Sequence, residues 1–237
     1  VFSSVMWTLS TIAEIGSTIY VGGKFTQVEI AATGQRNNQP FLAAFDRATG
    51  AWIDTFRPAV NGNVWSLAAT ADGRLIVGGQ FTNINGAANT TGVAMLDATT
   101  GAVDPTWRVN LTLTGSNDRP IARALDIAGD QLYIGGNFTR ITGTNGNTSN
   151  AGRIARVTVS TGNVDGSFLP DIDGIVFDID ATTDRVYAVG NFFYVNGTWS
   201  IGMAPLQPGN GQLVPNLQPW VRTYVANTRN SYQQGIL

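Results

Sequence analysis

The chain has 237 residues, of which 28 are glycine and only 13% are charged, a composition that disfavours helical bundles and favours an all-β protein with many turns. The net charge is −2 and the 14 basic residues are spread along the chain, which argues against nucleic acid as a partner. The absence of cysteine and histidine excludes disulfides, thiolate or imidazole metal sites and Ser-His-Asp hydrolysis, and no apolar run approaches the roughly 18–20 residues that span a bilayer.

The first feature in chain order is a short phrase with adjacent glycines that recurs at regular intervals. Its copies are VGGKFT at 21–26, VGGQFT at 77–82, IGGNFT at 134–139 and, in weaker form, VGNFFY at 189–194. The phenylalanines that mark the copies are separated by 56, 57 and 54 residues and are Phe25, Phe81, Phe138 and Phe192. A repeat of about 40–60 residues is typical of propeller blades or solenoids, so we predict four structural units.

A second recurring feature is a turn followed by an aromatic residue. Its copies are DRATGAWIDTF at 46–56, DATTGAVDPTW at 97–107, VSTGNVDGSF at 159–168 and, most weakly, PGNGQLVPNL at 208–217. The glycines that we expect to supply a positive φ in these turns are Gly50, Gly101, Gly162 and Gly211. Asp46 and Asp97 are predicted to accept hydrogen bonds from backbone amides at the start of the turn.

Within one unit, runs rich in β-branched and aromatic residues predict four short strands. In the second unit these runs lie at 63–70, 74–79, 92–98 and 102–109. Four strands in about 57 residues make one propeller blade, in which the double glycine lets neighbouring backbones approach and the phenylalanine fills the space between blades. A phosphate-binding loop is disfavoured, because neither Gly-Lys-Ser/Thr before a helix nor a third glycine in a βαβ unit is present.

The repeat predicts an all-β fold, a β-propeller of about four four-stranded repeats, in a single domain over residues 1–237. The predicted units are approximately 5–60, 61–118, 119–171 and 172–217, with 218–237 as a closing or extra strand that could pair with residues 1–7. Three arrangements remain open: a four-bladed propeller, a fragment of a larger ring, and an incomplete ring closed by a partner. An unclosed ring would leave an adhesive strand edge.

Residues 72–86, DGRLIVGGQFTNING, followed by 93–107, VAMLDATTGAVDPTW, resemble the bacterial delta-60 repeat, a β-propeller repeat family. They are also similar to the Rax2-like propeller repeats of a fungal cortical polarity protein and, more distantly, to kelch repeats. The resemblance extends over about residues 5–217. It implies an extracellular or cell-surface propeller, commonly a segment of a larger secreted protein, and it brings no catalytic motif with it.

An acidic stretch lies outside the repeat pattern, in DIDGIVFDIDATTD at 171–184. Asp171 with Asp173, and Asp178 with Asp180, are each predicted to project from one face of an extended strand. Such oxygen pairs are candidate Ca²⁺ ligands, although the EF-hand spacing and its distant bidentate Glu are missing. The same acids are candidates for the carboxylate pair of a glycosidase. Solvated strand faces and turn caps are the alternative explanation, under which no cofactor is needed.

Aromatic side chains are further candidates for ligand contact, because an indole ring presents a flat apolar face to a sugar. The tryptophans at repeat strand positions are predicted to lie in the core and are Trp52, Trp65 and Trp107. Trp199 lies instead with Tyr194 and Asn196 in the irregular hairpin of the fourth unit. Tyr194, Asn196 and Trp199 are therefore the candidate ligand-binding residues.

The functional hypothesis is a non-catalytic, secreted or cell-surface binding or structural module. Its protein or glycan partner would contact the polar loops at 29–40, 84–91 and 142–152. The hypothesis rests on a repeated scaffold without catalytic residue types. The alternatives are a carbohydrate-active enzyme that uses the acids at 171–184, and a structural spacer in a surface assembly whose blade edges join neighbours.

Overall fold

The computed structural model describes residues 3–217, which are all β-structure and turns. The chain divides into two compact units, one up to Arg108 and one from Val109. Whether both units belong to one domain, as the sequence predicts, stays a prediction. The predicted closing strand at 218–237 lies outside the described residues, and no helix of the described part is long and apolar enough to cross a membrane.

Unit 1 contains two antiparallel sheets. Its strands are β1 (Ser3–Ile15), β2 (Thr18–Ile30), β3 (Gln35–Asn38), β4 (Leu42–Asp46), β5 (Asn63–Ala69), β6 (Arg74–Gln80) and β7 (Val93–Asp97). In sheet 1, β2 is the middle strand between β1 and β4, and β3 pairs with the far end of β2. Sheet 2 has the order β5-β6-β7. The sheets therefore follow the chain, each with the double-glycine strand in the middle.

Unit 2 repeats this plan. Its strands are β8 (Asn110–Thr112), β9 (Ile121–Ala128), β10 (Gln131–Asn137), β11 (Arg140–Thr142), β12 (Thr148–Asn150), β13 (Ile154–Thr158), β14 (Ile175–Ala181), β15 (Val186–Asn191), β16 (Tyr194–Val195), β17 (Thr198–Trp199) and β18 (Met203–Leu206). Sheet 3 is β9-β10-β13 and sheet 4 is β14-β15-β18. A small sheet, β8-β11-β12, and the β16–β17 hairpin extend from the ends of the middle strands.

The second glycine of each pair is required by a bulge in the first strand of the same sheet. A Cβ atom added at any of these glycines would overlap a carbonyl oxygen of the first strand. The pairs are Gly23 with Thr8, Gly79 with Asn63, Gly136 with Ile121 and Gly190 with Ile175. The register of the first and middle strands shifts beside each of these glycines. The glycine therefore allows two backbones of one sheet to approach, as the sequence predicts, and the prediction of a structural role is confirmed.

The first glycine of each pair serves the packing of one sheet on the next. In unit 1, a Cβ atom at Gly22 would overlap Val64 Cγ1 of sheet 2. In unit 2, a Cβ atom at Gly135 would lie 2.6 Å from Val176 Cγ1 of sheet 4. The missing side chain thus makes room for a valine of the following sheet. Sheet 4 departs from the pattern, because Val189 occupies this position.

The marker aromatic residues fill the cores as predicted. The buried ones are Phe25, Phe81, Phe138 and Phe192 after the double glycines, and Phe56, Trp107 and Phe168 after the turns. Burying one phenylalanine contributes roughly 1.5–3 kcal/mol, so the repeat is explained by packing alone. Trp52 and Trp65 differ from the prediction, because each is only half-buried. The guanidinium of Arg57 covers the outer face of Trp52, 5.3 Å from the ring centroid.

The fourth predicted strand of each unit is reduced to a single bridge. The bridges are Phe45–Trp52, Leu96–Val103, Val157–Val164 and Leu206–Leu213. In sheet 2 the reason is local: Asp104 Oδ1 accepts the N–H of Thr106 at 2.8 Å, and Pro105 between them has no N–H to donate. The chain therefore turns away from β7 after one bridge.

The turns before these bridges follow the prediction. Gly50, Gly101, Gly162 and Gly211 have φ values of 68–73°. Asp46 Oδ1 accepts the N–H of Thr49 at 2.8 Å, and Asp97 Oδ1 accepts that of Thr100 at 2.7 Å. The threonine hydroxyls donate to the same oxygens, and together these bonds hold the pKa of both carboxyls below the ordinary value.

The polar segments that the sequence suggests as loops are more ordered than expected. Residues 29–40 include β3, which pairs with β2 and brings Arg36 within 2.9 Å of Glu29. Residues 142–152 include β12, which pairs with β11. The sequence hides these strands because their side chains are polar on both faces. Residues 84–91 form turns, held by the buried hydroxyl of Thr90.

Candidate ligand-binding site

The hairpin after the middle strand of sheet 4, residues 193–199, exposes two aromatic rings. Tyr194 on β16 lies opposite Trp199 on β17, with ring centroids 5.1 Å apart and an interplanar angle of 75°. The ring of Phe193 lies 5.7 Å from that of Trp199. Tyr194 is 44% exposed and Trp199 47% exposed, whereas Val195 is fully buried. This aromatic hairpin therefore presents two rings in a fixed edge-to-face arrangement.

Asn196 closes the aromatic hairpin with both ends of its side chain. Its φ of 49° is left-handed, a conformation that asparagine tolerates better than most residues. Oδ1 accepts the N–H of Asp171 at 2.8 Å, and Nδ2 donates to the carbonyl oxygen of Gly211 at 3.0 Å. The structure thus brings Asn196 beside Tyr194 and Trp199, but its polar atoms already serve the fold.

A groove on unit 2 leads to the aromatic hairpin. One cavity of about 460 Å³ is lined in part by Asn150, Arg153, Asp171 and Asp173. A second cavity of about 230 Å³ is lined in part by Arg153, Asp173 and Phe193. Because Arg153 and Asp173 line both cavities, we treat them as one, the Arg153 groove. It ends at Phe193, whose ring contacts Trp199.

Arg153 holds a left-handed backbone conformation that glycine occupies in sheets 2 and 4. Its φ is 69°, its carbonyl oxygen accepts the N–H of Gly136 at 2.9 Å, and its N–H donates to the carbonyl oxygen of Phe138 at 3.3 Å. Gly92 and Gly202 make the equivalent bonds in sheets 2 and 4, and Phe41 makes them in sheet 1. A residue with a Cβ in this conformation costs about 1–2 kcal/mol. The scaffold therefore does not explain why arginine stands here.

The side chain of Arg153 has donors to spare. Within residues 3–217 its guanidinium makes one long hydrogen bond, 3.4 Å from Nη1 to the carbonyl oxygen of Phe138. A guanidinium carries five N–H donors in a planar fork. Most of them are consequently available to a molecule in the groove.

The two acids of the groove have different tasks. Asp173 Oδ1 accepts the N–H groups of Phe193 at 2.8 Å and Tyr194 at 2.9 Å, which fixes the start of the aromatic hairpin. Asp171 pairs with Asn196 through its backbone, and its exposed side chain lines the groove. With Arg153, the two carboxylates give the groove both donors and acceptors, which is the requirement for pairing with hydroxyl groups.

The acids at 171–184 are not brought together by the fold. Asp171 and Asp173 precede β14, whereas Asp184 lies in the turn after it. A seven-residue strand such as β14 is about 23 Å long, so Asp184 lies at the opposite end of sheet 4. Asp171 and Asp173 are also not on a regular strand, in contrast to the sequence prediction, because Asp173 caps the backbone of the aromatic hairpin.

Asp178 and Asp180 lie on β14, where their charges reach Asp126 of sheet 3. Burial raises the pKa of Asp126, and the charges of Asp180 and Asp178 add to this effect. Asp126 accepts the N–H groups of Ala181 at 2.5 Å and Ile127 at 2.9 Å. In the described part of the chain, no three acidic residues are grouped in a way that could hold a metal ion. Calcium binding by Asp171, Asp173, Asp178 or Asp180 stays a prediction.

Comparison with known proteins agrees with this architecture. The family model "Domain of unknown function (DUF5122) beta-propeller" matches residues 70–106, which is most of sheet 2 and the following turn. No curated protein sequence matches the chain significantly. The family match thus lies within one repeat and indicates a β-propeller repeat there.

Three examples illustrate the solved structures that resemble the chain. The WD40 domain of Neurospora crassa Pan2 has 12% identity and a TM-score of 0.50, and the match covers 91% of this chain and 55% of that chain. The computationally designed Ika4 protein has 15% identity and a TM-score of 0.42, with 87% of this chain and 95% of that chain covered. The extracellular domain of a protein described as a hybrid two-component system, BT4673 of B. thetaiotaomicron, has 15% identity and a TM-score of 0.42, with 90% of this chain and 24% of that chain covered. The chain thus spans about half of the Pan2 chain and a quarter of the BT4673 chain. At such identities the likeness to the Pan2 domain concerns the fold alone. The chain has a β-propeller fold, with repeated antiparallel sheets and no helix in residues 3–217.

Proposed function

We propose that the chain is a non-catalytic, extracellular or cell-surface binding module that holds a glycan in the Arg153 groove and against the aromatic hairpin. The observation that carries the proposal is the coincidence of two departures from the repeat. Arg153 stands where the scaffold favours glycine, and exposed rings, Tyr194 and Trp199, stand at the end of the same groove. Neither departure is explained by packing.

The chemistry of a pyranose ring matches this surface. Its C–H face is apolar and flat enough to lie on an exposed aromatic ring, and its hydroxyl groups both donate and accept hydrogen bonds. Trp199 and Tyr194 supply the rings, and Arg153 and Asp171 supply a donor and an acceptor. The larger cavity of the groove, of about 460 Å³, is in the range of small-ligand sites. The exposed rings and the polar groups of this surface therefore fit a glycan.

The repeat itself supports the wider assignment. The match of residues 70–106 to a β-propeller family model falls within the stretch that resembles the delta-60 repeat. The identification as a delta-60 repeat, and with it a secreted bacterial protein as the source, is part of the proposal. No catalytic role is assigned to Asp171 and Asp173, because Asp173 is used as a backbone cap at the start of the aromatic hairpin.

The experiment is a glycan-array screen of the wild-type chain, followed by calorimetric titration of the best ligand into matched variants. We expect Trp199→Ala and Arg153→Gly each to weaken binding by about tenfold or more, the effect of removing a central contact. Phe41→Gly is the control, because Phe41 has the same left-handed backbone in sheet 1, with φ 65°, but lies outside the groove. Hydrolysis of the glycan, or binding that Trp199→Ala leaves unchanged, would contradict the proposal.

A further inference from the structure

The register of the strands identifies equivalent residues in three sheets. The residues opposite the second glycine are Leu9 in sheet 1, Val64 in sheet 2 and Val176 in sheet 4. Three residues further along the first strand stand Ile12, Leu67 and Ile179. All six are large and apolar. They therefore belong to one recurring face, which we call the leading face of each sheet.

The leading faces of sheets 2 and 4 are covered, and each is covered by the preceding sheet of its unit. Val64 and Val176 are fully buried, and they occupy the space left open by Gly22 and Gly135. In unit 1, the N–H of Leu67 also donates to Thr11 Oγ1 of sheet 1 at 3.1 Å. In both units the cover includes a glycine above the valine, and in unit 1 it also includes a hydroxyl beside the strand.

The leading face of sheet 1 differs in its exposure. Leu9 is 44% exposed and Ile12 is 64% exposed, although their equivalents in sheets 2 and 4 are buried. Val21 and Phe45 extend the same apolar face, and Ile19 and Trp52 pack against it half-buried. Within residues 8–217, whose side-chain exposure is described, no other large aliphatic side chain is as exposed as these two. We propose that this face is a docking surface for a further sheet of the same repeat type, with glycine at the position of Gly22.

The occupant is a sheet from a polypeptide segment outside these 237 residues. A sheet like sheet 4 does not fit, since Val189 fills the glycine position and Asp178 and Asp180 stand on the same face. Residues 218–237 are too few, because the three strands of sheet 2 extend from 63 to 97. A sheet like sheet 1 fits on both counts, since Gly22 gives room for Leu9 and Thr11 offers a hydroxyl to the N–H of Ile12.

The test adds a second copy of sheet 1 beside the exposed leading face of sheet 1. In a chain where residues 6–60 occur twice in succession, the first copy of Gly22 would lie over the second copy of Leu9, since residue 6 is equivalent to residue 61. In that chain we expect Ile12→Asp in the second copy to lower the thermal midpoint by about 10 °C, as for a buried position. In the 237-residue chain the same substitution should shift it by less than about 2 °C.

Two controls keep the test decisive. Leu67→Asp, at the equivalent buried position, should lower the midpoint in both chains, and Gly22→Val in the first copy alone should return Ile12→Asp to its small effect. Equal, small effects of Ile12→Asp in both chains would overturn the proposal.

A second measurement needs only the 237-residue chain. Leu9→Asp and Ile12→Asp should each reduce the fluorescence of bound anilinonaphthalene sulfonate at least twofold, and an unchanged signal would also overturn the proposal.

Discussion

The hairpin around Asn85 in unit 1 and the hairpin around Asn196 in unit 2 are closed by the same hydrogen bonds. Asn85 Oδ1 accepts the N–H of Ala59 at 2.7 Å, and its Nδ2 donates to the carbonyl oxygen of Gly101 at 2.9 Å, as Asn196 does with its own two partners. Both asparagines have a left-handed backbone and are followed by glycine. The asparagine is therefore part of the scaffold in both units.

The two hairpins differ in the side chains around this asparagine. In unit 2, Tyr194 and Trp199 flank it with exposed rings. In unit 1, the flanking residues include Asn83, whose Oδ1 accepts the N–H of Gly86 within the turn at 3.2 Å. The comparison separates atoms that recur because the fold needs them from side chains that occur once. Only the second kind is evidence for a ligand.

The largest loss of stability is expected from substitutions at the glycines that let two backbones of one sheet approach. Gly79→Ala in unit 1 and Gly190→Ala in unit 2 would each place a methyl group on a carbonyl oxygen of the bulged strand, Asn63 or Ile175. We expect a loss of about 3 kcal/mol or more in each unit, measured by urea unfolding. Gly166→Ala is the control, because nothing lies within 4 Å of its added Cβ. A loss below about 1 kcal/mol at either glycine would contradict the close approach.

A smaller effect is expected at the asparagines. Asn85→Ala and Asn196→Ala each remove two hydrogen bonds, which together contribute about 1–3 kcal/mol. Asn196→Ala should cost more, because Asn196 is half-buried and Asn85 is exposed. Thermal unfolding of the two variants checks this order. An Asn196→Ala variant with wild-type stability and lost glycan binding would instead make Asn196 a ligand-binding residue.

The acid dependence of stability should also distinguish the units. Burial alone would raise the pKa values of Asp104 and Asp165, but hydrogen bonds from a neighbouring Thr or Ser and from an arginine outweigh it, so both values lie below the ordinary 3.8. A lowered folded-state pKa means that the stabilisation is complete above about pH 3.8 and is lost as the pH falls through the folded-state value. The guanidinium that pairs with Asp165, that of Arg156, is more buried than that of Arg74, which pairs with Asp104.

We therefore expect Asp165→Asn to flatten the acid limb of the stability curve more than Asp104→Asn does, in unfolding measured from pH 6 to pH 2. Asp126→Asn should act in the opposite direction. Burial and the charges of Asp180 and Asp178 raise the pKa of Asp126, so its contribution is lost as the pH rises through the folded-state value. Identical acid limbs for wild type and Asp165→Asn would show that the ion pair with Arg156 does not contribute.

The sequence was sufficient for the parts of the fold that recur. Gly79 and Phe81 identify a repeat because identical packing needs identical residues at each copy. The sequence was not sufficient to predict the structural role of Asp173, which it suggests only as a candidate metal ligand. In the structure its carboxylate accepts backbone N–H groups about twenty residues away, as the side-chain oxygen of Asn61 does in unit 1. Spacing along the chain does not reveal such partners. The sequence did not identify Arg153 for a related reason. Its unusual position becomes visible only when the residues before the third strands are aligned, because Gly92 then stands at the equivalent place.

The smallest expected change in stability is also the one that best separates scaffold from ligand. Arg153→Gly and Phe41→Gly each relieve a left-handed backbone, while the added chain entropy of glycine offsets part of the gain. We expect both variants to be within about 1 kcal/mol of wild type, and neither to be strongly destabilised. Arg153→Gly alone should lose glycan affinity, because only Arg153 lines the groove. If Arg153→Gly were destabilised by more than about 2 kcal/mol while Phe41→Gly was not, the arginine would be serving the fold, and the groove would lose its principal argument.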